Sequence, residues 1–135
     1  MSREILFKAK RKDNGEWVEG YYLNIAKINH FICTGKIKLD RVINRIIAPE
    51  MYTIDPNTIC QYTGFTDKNG KKIWENDIVR NKKGDIGVAQ WFEEHAAFMI
   101  WNKTKNCVCY LAENDFSKIE VIGNVFDNPY LLEVE

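Results

Sequence analysis

A chain of 135 residues with 45% hydrophobic and 13% aromatic residues has the composition of one globular domain or two small units. It excludes a disordered chain, which lacks the aromatics needed to offset chain entropy. Nineteen basic and nineteen acidic residues cancel, unlike the strong basic excess of a protein that coats duplex nucleic acid.

Residues 1–45 nevertheless carry ten Lys/Arg against five acids, and residues 113–135 carry six acids against Lys118 alone. That asymmetry predicts a polarised surface or, more plainly, solvated strand faces. Met1 to Glu4 leads into a short mixed run without the apolar stretch of a signal peptide, and no apolar run is long enough to cross a bilayer. Cys33, Cys60, Cys107 and Cys109 are expected as thiols in a reducing compartment, which places the protein in the cytoplasm and off the membrane.

In chain order the pattern is that of short strands between turns. Ile5 to Ala9 and Trp17 to Leu23 flank Lys12-Asp13-Asn14-Gly15, and Asn-Gly between such runs predicts a hairpin in which both residues take positive φ. Ile25 to Cys33 is the next strand, punctuated by Thr34-Gly35-Lys36. In 40–49, Val42, Ile43, Ile46 and Ile47 are spaced for a helical face behind an Asp40 cap. So many β-branched residues in so short a segment favour strand or irregular structure instead. Pro49 and Asp55-Pro56-Asn57 mark a break, predicting sub-domains over 1–54 and 55–135.

The second half reads as a meander. Thr58 to Tyr62, Asp77 to Arg80, Gly87 to Phe92, Ala97 to Trp101, Cys107 to Leu111 and Lys118 to Phe126 are strands. Polar turns at 66–70, 81–85, 93–95 and 102–106 separate them. Short strands joined this way suit a small closed barrel, since closure removes exposed edges. The last strand alternates only in part: apolar at Ile119, Val121 and Val125, but also at Ile122 and Phe126. Two covered faces are expected there, with Ile122 against the N-terminal sub-domain and Gly123 at a close backbone approach or a bulge where the strand bends.

Three stretches resemble the YopX family of phage and prophage proteins. They are Asn14 to Tyr21 (NGEWVEGY), Gln61 to Val79 (QYTGFTDKNGKKIWENDIV) and Ile119 to Pro129 (IEVIGNVFDNP). Only the region Ala26 to Glu50 stands apart. Asn76 departs from the family pattern, which has glycine before the aspartate. The resemblance implies an all-β fold, with an N-terminal β-meander and a C-terminal SH3-like small barrel. It implies no activity, because the family has no established function to carry to any residue.

The chemistry-bearing residues do not assemble into a motif. Cys107 and Cys109 share a strand face about 6–7 Å apart, too far to chelate zinc comfortably even with His30 and His95, and they read as small buried hydrophobes. Asp67-Lys68-Asn69-Gly70 fails the calcium-loop pattern, with Lys71, Lys72 and Ile78 where an oxygen ligand, glycine and glutamate are required, and reads as a hairpin turn. Glu75, Asp77, Asp85, Glu93, Glu94 and His95 show no nucleophile at recognisable spacing, so no enzyme, cofactor or metal is expected. The sharper alternative is nucleic acid. Exposed aromatics beside basic turns bind single strands by stacking, and the candidate surface is Trp101 with Arg80, Lys82, Lys83, Lys103 and Lys105. Against it stands the ordinary packing of tryptophans and solvation of lysines. The sequence thus predicts a phage or prophage accessory module that binds a host or phage protein or itself, with nucleic acid as the alternative partner.

Overall fold

A computed structural model describes residues 4–35, 38–47 and 50–133. Lys36, Ala48 and Pro49, and with them the break expected at Pro49, lie outside the described residues. The described chain is all-β, with short 3-10 turns and no α-helix, and it divides into two compact units, Met1–Gln61 and Tyr62–Glu135.

The N-terminal unit is an antiparallel meander. Strands β1 (Phe7–Lys10), β2 (Trp17–Ile25), β3 (Asn29–Cys33) and β6 (Met51–Thr53) pair in the order β6-β3-β2-β1. Ala9, Ile32 and Ile54 form its core, flanked by Phe7, Val18, Tyr22 and Ile59. The first hairpin differs from the tight turn expected. Arg11 and Glu16 close a four-residue loop, and Gly15 is at φ +73° while Asn14 does not take positive φ. Asn14 serves through its side chain, whose Oδ1 accepts the Glu16 N–H at 2.9 Å. The next reversal comes at Ala26–Ile28, inside the run Ile25 to Cys33 expected as one strand, with Ala26 and Lys27 both left-handed. Neither is a turn-forming residue type, so composition hid it. Gly20 is required by close approach, because a Cβ there would lie 2.2 Å from the Cys33 carbonyl oxygen.

Residues 38–47 form a separate hairpin of β4 (Lys38–Asp40) and β5 (Arg45–Ile47), as strand rather than helix. Asp40 does cap, but it caps a turn. Its Oδ1 accepts the Val42 N–H at 2.9 Å, and Asn44 completes the reversal at φ +52°.

Strand β7 (Cys60–Thr66) begins beside β1, with Phe7 opposite Gln61, and continues in the second unit beside β8 (Lys72–Trp74). The main sheet of that unit holds β9 (Asp77–Arg80), β10 (Ile86–Phe92), β11 (Ala97–Asn102), β12 (Cys107–Tyr110) and β13 (Glu120–Asn124). Its order is β12-β11-β10-β9-β13.

The closed barrel is not formed. β12 and β13 are the two edges of an open sheet, and the SH3-like closure implied by the resemblance is absent from its pairing. The chain between them instead makes two 3-10 turns, Leu111–Glu113 and Phe116–Lys118. Leu111 is fully buried there, and Phe116 stacks on Phe65 with ring centroids 4.6 Å apart. They complete a core of Ile73, Val79, Ala89, Ile100, Ile119 and Val121.

Both faces of this sheet carry buried residues: Val79, Ala89 and Ile100 on one, Ile78, Val88 and Met99 on the other by strand alternation. Ile119 and Val121 point into the core as expected, whereas Val125 and Ile122 are half-buried. The broken alternation has a local cause. Val121 pairs with Val79 and Gly123 with Ile78, so Ile122 is the extra residue of a β-bulge that resets the phase of the strand. Gly123 also marks a close approach, as a Cβ there would lie 2.5 Å from Asn128 Oδ1.

Candidate functional site

Three buried aspartates of the C-terminal unit show what its motifs are for. Asp67 opens the turn between β7 and β8. Its Oδ1 accepts the N–H groups of Asn69 and Lys71 at 2.9 Å each, and its Oδ2 accepts the Val121 N–H, also at 2.9 Å. Burial pushes this carboxyl up, but the N–H groups of Val121, Lys71 and Asn69 outweigh it and hold the group below the usual carboxylate range. Asp77 is 2% exposed and accepts the Trp74 N–H at 2.8 Å across a turn in which Asn76 sits at φ +72°. Asparagine tolerates that conformation better than most residues, which accounts for its standing in for glycine. These carboxylates are occupied by backbone donors.

Asp85 works differently. It lies between the β9–β10 and β11–β12 turns, where Asn81 Nδ2 and Asn102 Nδ2 each donate to its Oδ2 at 3.2 Å and Lys105 Nζ lies 3.4 Å away. The amides of Asn102 and Asn81 lead in lowering its pKa, with Lys105 adding to them. Thr104 Oγ1 accepts the Ile86 N–H at 3.0 Å, and the Lys103 N–H donates to the Ile86 carbonyl at 2.8 Å. The two basic turns are therefore tied into one end of the sheet.

The predicted surface residues fall into two groups. Arg80 and Lys82 line a groove of about 540 Å³ together with Lys68, Asn81, Ser117, Lys118 and Glu120. Glu120 sits among the cations, 3.3 Å from Arg80 and 3.4 Å from Lys68, and these two hold its pKa down. Lys83 is exposed on the adjoining turn, Lys105 is engaged by Asp85, and Lys103 is half-buried. Sequence spacing could not have found Lys68 and Lys118, which come from the 67–70 turn and the 116–118 turn.

Trp101 belongs to the other group. It is half-buried, in register with buried Val88 on one side and exposed Val108 on the other. Trp91, at 44%, is the tryptophan most open to solvent, and its ring meets Phe98 edge-on at 5.1 Å. Val108 and Tyr110 lie on the outer strand β12, and both are exposed. The strand runs Cys107-Val108-Cys109-Tyr110 and carries no charge along its edge, where the Tyr110 carbonyl accepts a hydrogen bond from Asn114 Nδ2 at 2.9 Å. The expectation that the cysteines are buried holds for Cys33 and Cys60 but not for β12, where Cys107 is exposed and Cys109 half-buried; all four are free thiols. Among the described residues no three His, Cys, Asp or Glu side chains gather as a metal site, and no helix is long and apolar enough to cross a membrane.

A family model described as YopX protein matches residues 6–133, nearly the whole chain. No curated protein matches it.

Proposed function

The chain belongs to the YopX family, and we propose that it is a phage or prophage accessory protein of the cytoplasm, a non-enzymatic module for binding or assembly. One observation carries this reading: β12 is an uncharged edge strand with Val108 and Tyr110 exposed and a half-buried tryptophan behind it. Folded proteins protect such an edge with charge, proline or a covering loop, because it adds strands from other chains. An open apolar edge in a folded unit is a place for β-strand addition. The buried aspartates support the same reading, since Asp67 and Asp77 are held by backbone N–H groups and serve the fold. Amide hydrogen exchange across residues 107–110 tests it. Protection that rises with protein concentration supports assembly at this edge; fast exchange at every concentration, with a monomer mass in sedimentation, rejects it.

The basic groove favours a second reading, a nucleic-acid binder using Lys68, Arg80, Lys82 and Lys118. Neutralising three phosphates there makes binding fall roughly fortyfold between 50 and 200 mM salt. A titration of single- and double-stranded DNA and RNA decides it. Salt-sensitive binding lost in Lys82→Glu supports the groove, and no salt-sensitive binding removes this reading.

A further inference from the structure

We infer that Glu120 guards the basic groove: its carboxylate occupies the place that a backbone phosphate of a nucleic acid takes, and it leaves the cations when one binds. The inference rests on the nucleic-acid reading above and names the residue that regulates that site.

The place is built by the backbone. β9 and β13 pair with Glu120 directly opposite Arg80. The turn that carries Lys68 is docked on β13 at both neighbours of Glu120. The Lys68 N–H donates to the Ile119 carbonyl at 2.9 Å, and Asp67 Oδ2 accepts the Val121 N–H at 2.9 Å. An ammonium and a guanidinium from elements remote in sequence therefore converge on one atom, Glu120 Oε2, at 3.4 and 3.3 Å. That donor pair suits a phosphate oxygen as well as a carboxylate oxygen. Charge argues in the same direction. Lys118 lies 3.6 Å from Asp115, so among the described residues the groove sets Lys68, Arg80, Lys82 and Lys118 against two carboxylates. It stays positive in a chain of zero net charge. The guard is also weakly held. The side chains of Lys68, Arg80 and Glu120 are 44%, 48% and 32% exposed, and ion pairs this open to water are worth little. A polyanion that meets Lys82 and Lys118 as well displaces a single carboxylate at small cost.

Fluorescence anisotropy of a labelled thymidine oligonucleotide, titrated with the full chain at low salt, tests this. Glu120→Gln keeps the side chain's shape without its charge and should bind roughly two- to tenfold more tightly than wild type. Glu120→Ala, which removes the carboxylate by truncation, should tighten binding in the same way, so the result does not hang on one variant's folding. Glu94→Gln makes the same charge change at the other end of β10 from the Asn81–Lys82 turn and should leave the affinity unchanged. A double-mutant cycle separates guarding from plain charge repulsion. Arg80→Gln should weaken binding more on the Glu120→Gln background than on wild type, because only there is Arg80 released from its carboxylate beforehand. Additive effects, or a Glu120→Gln protein that binds no more tightly than wild type, would overturn the inference and leave the nucleic-acid reading standing. Absence of salt-sensitive binding in wild type and Glu120→Gln alike would overturn both.

Discussion

Asp67 and Asp85 occupy hairpin turns of the same unit at 5% and 8% exposure, yet they are held by groups of different kinds. Asp67 accepts three backbone N–H groups, one of them from Val121, fifty-four residues away. Asp85 is held by side chains, two amides and an ammonium, that join neighbouring turns. A carboxylate satisfied by backbone donors fixes the path of the chain. One satisfied by side chains sets only how surface groups lie. The first aspartate falls within a stretch that carries the family resemblance, and the second does not. The recognisable motif is thus a device of folding, while the candidate binding residues lie around the less constrained turn.

The largest expected effect breaks the Asp67 side of this comparison. Asp67→Ala leaves three backbone donors without their acceptor, and the unfolding free energy should fall by about 3–5 kcal/mol in urea denaturation. A loss no greater than that of an ordinary surface substitution would sink the claim that this turn staples β13. The acid limb of stability sharpens it next. Asp67 has a folded pKa below its unfolded value of about 3.9, so its contribution is full above that value and is lost as the pH falls through the folded pKa. Asp67→Asn should therefore be less stable than wild type at neutral pH, with the gap narrowing below about pH 4 as the wild-type carboxylate takes up its proton.

Asp85→Asn comes third. Its cost at neutral pH should be smaller than that of Asp67→Asn, and part of it should disappear in high salt, because the ammonium of Lys105 is half open to water. Thermal melts at two ionic strengths separate the cases: the Asp67 deficit persists and the Asp85 deficit shrinks. The smallest effect is that of Lys105→Ala, whose melting point should be indistinguishable from wild type while Asn81 and Asn102 still hold Asp85.

Much of the strand pattern was legible because it is local. Trp17, Val18, the run Gly87 to Phe92, and the polar turns at 81–85 and 102–106 declare themselves within a few residues. The turn at Ala26–Ile28 was hidden because Ala26 and Lys27 take left-handed backbone that nothing in their side chains announces. The partial alternation around Ile122 announced two covered faces, and Gly123 was expected at a close approach or a bulge; the structure has the bulge beside it and the Asn128 side chain close against it. Pattern alone cannot separate a bulge from a second covered face, and here a bulge is present and both sheet faces carry buried residues. The groove was half legible. Arg80 and Lys82 sit on one recognisable turn, but Lys68 and Lys118 reach it from turns remote in sequence.

The sequence by itself determined the all-β class, the order of most strands and the family, since hydrophobic period, turn chemistry and motif spacing are properties of neighbouring residues. Whether the five-stranded sheet closes was decided by tertiary structure alone. Closure depends on whether β12 and β13 hydrogen-bond to each other, and the chain between them runs as two 3-10 turns whose Leu111 and Phe116 pack on the core instead. The same choice leaves β12 as an open edge. Among the described residues β12 ends its sheet with Val108, Tyr110 and Cys107 exposed, a placement that no stretch of the strand's own residues encodes.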